Sequence, residues 1–305
     1  MMRVFLSGAT GYIGSAVVDA LVRAGHQVTC LVRNPEKAAV AGRLGGRPVV
    51  GDLSEPASFE KAAAEQDGYI HAAEEALPRR CAVDRVAIDT LIAAARHGAS
   101  TGAATDRFLV YTSGIWVLGS TRQPATEDAP VNPAEVVAWR PAHEQLVLAA
   151  AGSGVRTCVV RPGIVCGGAR GIIGDLIRDA SNGLVRIVGS GENHWPVVYD
   201  RDLADLFVRL SSRADASGIY HATGESDERV NDIVEAIAAQ VKTSPQIRRM
   251  PLEEARAKMG ARAAALALDQ IVRSPRARAL GWSPAFRSIT GGAAVLLEEW
   301  RSGRA

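Results

Sequence analysis

The sequence predicts an α/β fold, a doubly wound parallel sheet followed by a smaller, discontinuous lobe, and three observations carry that expectation. Short β-branched or apolar runs alternate with longer helical stretches through the first half, as successive βαβ units require. A glycine-rich turn directly follows the first apolar run. After Arg161-Pro162-Gly163 the texture changes, with Gly167, Gly168, Gly171, Gly174, Gly183, Gly189 and Gly191 crowded into 25 residues, too many for regular packing without loops.

The strands of the sheet are expected at Arg3–Ser7, Gln27–Val32, Arg47–Val50, Gly68–Ala72, Phe108–Thr112 and Thr157–Arg161. Between them Ser15–Ala24, Pro56–Ala64, Val83–His97 and Ala138–Ala151 carry Ala, Leu and Val at helical spacing, and Pro141 suits a first helical turn. Further on, Trp195–Tyr199 and Ile219–Ala222 read as strands, and Asp202–Leu210, Val230–Val241, Leu252–Lys258 and Ile289–Trp300 as helices. The sheet domain is therefore expected to span residues 1–166 and the second lobe 167–305, with 195–240 returning to the sheet.

Composition narrows the classes of function. The 305 residues are 47% hydrophobic and 22% charged, ordinary for a globular chain and unlike disordered or collagenous ones. The 35 basic and 33 acidic residues are interspersed and leave a formal charge of +2, without the concentrated basic face of a nucleic-acid binder. Nowhere do about 20 apolar residues run together, and no signal-peptide core precedes the glycine turn, so neither a membrane nor an export route is expected. Cys30, Cys81, Cys158 and Cys166 form no CxxC pair, and Cys30 and Cys158 sit in apolar runs as small buried hydrophobes, which points to a reducing, cytoplasmic setting. His26, His71, His97, His143, His194 and His221 are scattered without HExxH or Cys/His spacing, so no metal site is expected. The expected partner is a small-molecule substrate, and a homodimer is compatible with the sequence.

Gly8-Ala9-Thr10-Gly11-Tyr12-Ile13-Gly14 lies between the first strand and the first helix. There a dinucleotide pyrophosphate must approach the backbone: one glycine permits the tight turn, another leaves room for the phosphates, and the last lets helix and strand pack closely, with the helix N-terminus facing the anion. The setting of strand, turn and helix makes this a Rossmann dinucleotide-binding turn. The second strand ends Leu31-Val32-Arg33-Asn34-Pro35. A carboxylate at that position would accept from an adenosine 2′-OH and repel a 2′-phosphate, whereas Arg33 offers the phosphate a charge-assisted fork. NADP(H) is expected in preference to NAD(H).

Seven segments together carry a family resemblance: Gly8 to Gly14, Gly51-Asp52-Leu53, His71-Ala72-Ala73, Tyr111-Thr112-Ser113-Gly114, Arg161 to Gly167, Val198-Tyr199-Asp200-Arg201-Asp202-Leu203-Ala204 and Leu280-Gly281-Trp282-Ser283-Pro284. In this order they resemble the extended or atypical short-chain dehydrogenase/reductase superfamily, in particular its NAD-dependent epimerase/dehydratase group. The resemblance implies that Asp52 and Leu53 border the adenine and that Ala72 and Ala73 line the cofactor groove. It further implies that Ser113 stands beside the nicotinamide and that Pro162, Gly163 and Ile164 abut the same end.

The superfamily's chemistry uses a Ser or Thr after the fifth strand and a Tyr-x-x-x-Lys on the next helix, the phenol as general acid/base and the ammonium as its activator and ribose anchor. Ser113 matches the first element. Anchored on Glu144-Gln145-Leu146-Val147-Leu148, which resembles the stretch after that Lys, Arg140 takes the Lys position and Val136 the Tyr position; the other register gives Trp139 and His143. Neither contains the pair. Arg140 can bind ribose hydroxyls or phosphate, but a guanidinium stays protonated and Val136 has no proton to give. The acid/base must then come from elsewhere, with Tyr199, His194, His143, Glu74 and Tyr111 the candidates by type, and Tyr199 is placed with Ser113 and Arg140 in the expected site. No G-x-S-x-G elbow supports a serine hydrolase. Three readings stay open: an NADP-dependent oxidoreductase or epimerase-like enzyme, a non-catalytic NADP(H)-binding sensor or scaffold, and a non-redox dehydratase or isomerase. Trp116, Trp195 and Ile172 are expected as apolar walls for a small carbonyl or hydroxyl compound.

Overall fold

The computed structural model describes residues 1–76, 78–100, 107–152 and 154–304, except the side chains of 98–100. Six strands, β1 (Arg3–Ser7), β2 (Gln27–Val32), β3 (Arg47–Val50), β4 (Gly68–His71), β5 (Arg107–Thr112) and β6 (Val155–Pro162), are joined at one edge by a seventh, Gly218–Ala222. The order across the sheet is Gly218–Ala222, β6, β5, β4, β1, β2, β3. The pairings of β1 with β2 and β4, of β2 with β3, and of β5 with β4 and β6 are all parallel. Helices cover both faces of such a sheet, so its strands are continuous apolar runs: Val4, Phe5 and Leu6 in β1 and Phe108 to Tyr111 in β5 are all buried. The strand order reverses between β1 and β4, and the carboxyl ends of those two strands therefore frame a crevice.

The crossover helices are α1 (Tyr12–Arg23), α2 (Pro35–Arg43), α3 (Glu60–Ala64), α4 (Arg80–Ser100) and α5 (Arg140–Ala149). In α1, Val17, Val18 and Leu21 fall on one buried face, as the sequence periodicity requires. Nothing in the periodicity announces α2, whose one buried residue is Ala41; its start is written in Asn34, which accepts from the Lys37 amide at 2.9 Å, and in Pro35 at the first helical position. The helix expected over Pro56–Ala64 is broken into a 3₁₀ turn, Pro56–Ser58, and the short α3, because Phe59 between them turns inward and stacks on Phe5 at 5.8 Å. The helix expected over Ala138–Ala151 begins only at Arg140, and Val136 lies ahead of it in a separate 3₁₀ turn, Glu135–Val137.

The chain divides into two compact units. The first holds residues 1–113, 139–161 and 203–220, and the second 114–138, 162–202 and 221–305. The change of unit falls at Arg161–Pro162, the first unit takes the chain back over 203–220, and the strand this return adds to the sheet runs from Gly218 to Ala222. That return is fixed by the buried Arg156, whose guanidinium donates to the carbonyls of Leu210, Ser211 and Ala216.

The second unit is built on short pairings, Leu184–Val188 with Gln246–Met250, Ile164–Cys166 with Val197–Tyr199, and His194–Trp195 with Glu228–Arg229. The single strand expected over Trp195–Tyr199 is split at Pro196, which has no N–H for a ladder and whose carbonyl accepts from Ile164 N at 2.8 Å. Trp195, expected as a wall of the substrate space, is 6% exposed in this unit's core with Ile177, Val185 and Ile233, its indole N–H given to Leu266 O. Trp282 is buried as well and donates to Asp202 O at 2.7 Å, while the Asp202 carboxylate accepts from the amides of Ala285 and Phe286. Two of the sequence segments behind the family resemblance are therefore joined by hydrogen bonds. No described helix is long and apolar enough to cross a membrane.

Candidate active site

A groove of about 270 Å³ opens in the first unit at the switch point. Gly8, Thr10 and Gly11 form one side, Asp52, Leu53, Ala72 and Ala73 another, and Arg33 the rim, so eight of the expected cofactor residues are brought to one crevice. Tyr12, Ile13 and Gly14 open α1 beneath it. The glycines do different work. Gly8 has φ +79°, and a Cβ there would stand 2.5 Å from Ala72 O. A Cβ on Gly14 would stand 2.1 Å from Gly8 O, so only glycine lets α1 leave β1 so closely. Gly11 is the N-cap of α1 with extended backbone, and the helix's first turn has no acidic residue. The first turn thus directs the positive end of the helix dipole toward the groove.

Arg33 follows β2, and its side chain is 70% exposed with Glu75 at 3.8 Å. Lys37, which the sequence reading missed, lines the same rim because α2 starts immediately after Arg33. Two cations therefore stand where the second strand ends. Asp52 is held still by Ser54, whose side-chain hydroxyl and backbone amide both donate to one carboxylate oxygen; these hydrogen bonds lower its pKa below the ordinary carboxylate value.

Beyond β5, Ser113 donates its amide to Val160 O at 2.8 Å, and its Oγ is buried without a hydrogen-bond partner in the structure. A buried hydroxyl left this way is a group that a ligand would satisfy. Arg140, the first residue of α5, is nearly buried and reaches back to Thr112 O at 3.0 Å, Tyr111 Oη at 3.3 Å and Glu74 Oε2 at 3.1 Å. The ring of Trp139 lies under its guanidinium at 4.6 Å. Glu74, on the groove wall, is shared between Arg140 and Arg80.

Behind Arg140 lies a buried polar network that sequence reading did not foresee. Asp84 accepts from Tyr111 Oη at 2.9 Å, pairs with His143 Nδ1 at 2.6 Å and with His71 Nε2 at 3.1 Å, and His71 Nδ1 meets Ser7 Oγ at 2.5 Å. Burial alone would raise the Asp84 pKa, but the hydrogen bonds from His143 and His71 outweigh it and hold the carboxylate well below its ordinary value. Burial pushes the Tyr111 phenol up, and its proton is given to Asp84. Tyr111 keeps that proton and serves as a strut between Asp84 and Arg140.

Other expected site residues lie in the second unit. Gly163 donates to Ala222 O at 2.9 Å and admits no Cβ, since Pro196 O would stand 2.5 Å away; Pro162 and Ile164 flank it. Tyr199 gives its hydroxyl to Glu299 Oε1 at 2.5 Å, stacks on Phe286 at 5.0 Å and carries the Arg304 guanidinium over its ring. Burial and Glu299 both push the Tyr199 phenol up. His194 is paired with Asp269 at 2.8 Å.

A doubly wound sheet with a GxxGxxG turn at its switch point defines a dinucleotide-binding protein of the Rossmann class. The chain belongs to the NAD dependent epimerase/dehydratase family, whose sequence profile matches residues 4–223. Membership places it among NAD(P)-dependent enzymes of the epimerase, dehydratase and reductase type. It is 32% identical over 296 residues to the uncharacterized protein C2A9.02 of Schizosaccharomyces pombe, covering 94% of this chain and 97% of that one. It is 30% identical to the 2-alkyl-3-oxoalkanoate reductase of Stenotrophomonas maltophilia over 78% of this chain and 76% of the reductase. Among solved structures, the Thermus thermophilus UDP-glucose 4-epimerase with NAD superimposes over all of both chains with a TM-score of 0.80 at 20% identity, a likeness of fold.

Proposed function

We propose that the chain is an NADP(H)-dependent oxidoreductase of a small carbonyl or hydroxyl compound that works without a Tyr-x-x-x-Lys pair. The carrying observation is the buried, unpartnered Ser113 Oγ, one residue from the carbonyl that fixes Arg140. The glycine turn, the positive end of the α1 dipole and the Arg33 and Lys37 rim fit a phosphorylated dinucleotide. Bound there, NADPH would supply a hydride. Ser113 Oγ would hydrogen-bond the substrate oxygen, and the Arg140 fork, already braced by Thr112 O, Tyr111 and Glu74, would hold ribose hydroxyls. Tyr199, engaged with Glu299, is left out of the proton path. No phenol stands at position 136, and the turnover of generic substrates should lie about 10²–10⁴-fold below that of an enzyme with a positioned general acid.

The 3-oxoalkanoate named for the Stenotrophomonas relative makes 3-oxo acids and esters the first compounds to try, followed by aldehydes and simple ketones. With NADPH, measured by loss of absorbance at the nicotinamide band, slow turnover is expected that falls about 10²-fold in Ser113→Ala and is unchanged in Tyr199→Phe. Turnover indifferent to Ser113→Ala would remove the site. Tight NADPH binding without turnover on any compound would favour the sensor reading, for which the valine at position 136 is the supporting observation.

A further inference from the structure

Cys81 stands in the first turn of α4 and is exposed, whereas Cys30, Cys158 and Cys166 are buried. Its Sγ lies 3.7 Å from His143 Nε2, and the other nitrogen of that ring, Nδ1, lies 2.6 Å from Asp84 Oδ2. His143 is 5% exposed and Asp84 4%, and the Trp139 ring meets the imidazole edge-on at 4.9 Å, which fixes its plane. Asp84 faces three donors, from His143, His71 and Tyr111, and an ionised carboxylate can only accept. With Nδ1 of His143 directed at Asp84, its Nε2 is the ring nitrogen that faces the thiol. Nucleophile, base and orienting carboxylate are thus in the sequence that activates a weak nucleophile, on a helix N-terminus whose dipole favours a sulfur anion. Cys81 is not part of the dinucleotide groove, and its exposure suits a small diffusible reactant rather than a shaped substrate.

We propose that Cys81, served by His143 and oriented through Asp84, is a peroxide-reactive thiol and a site of sulfenic acid formation. His143 Nε2 takes the thiol proton, and the sulfur attacks one peroxide oxygen. The S–O bond forms as the O–O bond breaks; the sulfur is oxidised by two electrons and the peroxide reduced, and the departing hydroxide receives the proton from His143 and leaves as water. The other thiols stay silent, since burial pushes Cys30 up to about 12 and Cys158 up to about 11 and raises Cys166 well above its ordinary range.

The test treats the full chain with hydrogen peroxide at neutral pH in the presence of dimedone, reads the adduct by intact mass, and uses N-acetylcysteine as the reference thiol. The wild-type rate should exceed the reference by about tenfold or more, His143→Gln should lose most of that excess, and Cys81→Ser should carry no adduct. A wild-type rate at or below the free thiol overturns the proposal without any variant, so loss of folding in His143→Gln cannot hide the answer. An adduct that persists in Cys81→Ser overturns it equally.

Discussion

Arg33→Asp should reverse the coenzyme preference, from NADPH bound about tenfold or more tighter than NADH to NADH bound tighter. A charge-assisted hydrogen bond to a phosphate contributes about 1.5–3 kcal/mol, which is about 10–100-fold in affinity. The substitution removes that bond, places a like charge against the 2′-phosphate and provides an acceptor for the free 2′-OH. Arg33 is exposed and Glu75 draws on it from 3.8 Å, so the wild-type preference should sit nearer the lower end of that range. Lys37→Ala, on the same rim, should weaken NADPH less, because a lysine acts as a point charge without the fork. Fluorescence titration of both coenzymes against wild type and Arg33→Asp decides it; equal affinities in the wild type, or a variant that still prefers NADPH, would remove Arg33 from the site and leave the fold untouched.

Glu144→Ala should cost about 3–5 kcal/mol of folding stability, the largest effect expected of any single substitution outside the glycine turn. Glu144 and Arg161 form a two-pronged pair, Nε to Oε1 at 3.0 Å and Nη2 to Oε2 at 2.6 Å, with both side chains almost wholly out of solvent. Removing the carboxylate leaves a guanidinium buried without its counter-charge. The pair also fixes α5 to β6 one turn after Arg140, so the loss should reach the candidate site through the placement of that arginine. Replacing both partners by methionine should recover most of the loss, since apolar packing removes the desolvation penalty of both ions. Urea unfolding of the single and double variants gives the comparison; a loss below about 1 kcal/mol in Glu144→Ala would mean that water reaches the pair.

What was legible in the sequence was local. The strands of the sheet and the GxxGxxG turn are written in runs of Val, Ile, Leu and Gly whose physics involves neighbours along the chain, and all seven strands fall within a residue or two of their expected places. Interruptions inside an element were lost, as with Phe59, whose inward ring breaks a helix, and Pro196, which has no N–H to continue a strand. The buried network was illegible for a different reason. Ser7, His71, Asp84, Tyr111 and His143 come from β1, β4, α4, β5 and α5, and nothing in their spacing marks them as partners. Tyr111 and His143 were visible as titratable types, but their engagement with Asp84 emerges only when three strands and two helices meet. Arg140 was placed at the lysine position by counting from Glu144, but its bonds to Thr112 and Glu74 could not be read from the sequence. The same count put Val136 at the phenol position, and it lies in a 3₁₀ turn ahead of α5.

In the proposed reaction a hydride passes to a substrate held by Ser113. Mass spectrometry of product formed with NADPH carrying deuterium at both C4 positions follows that hydride. One deuterium is expected at the former carbonyl carbon with the wild-type protein, and labelled product formed about 10²-fold more slowly by Ser113→Ala. Product that carries no label, or label transferred at the same rate by Ser113→Ala, would contradict it.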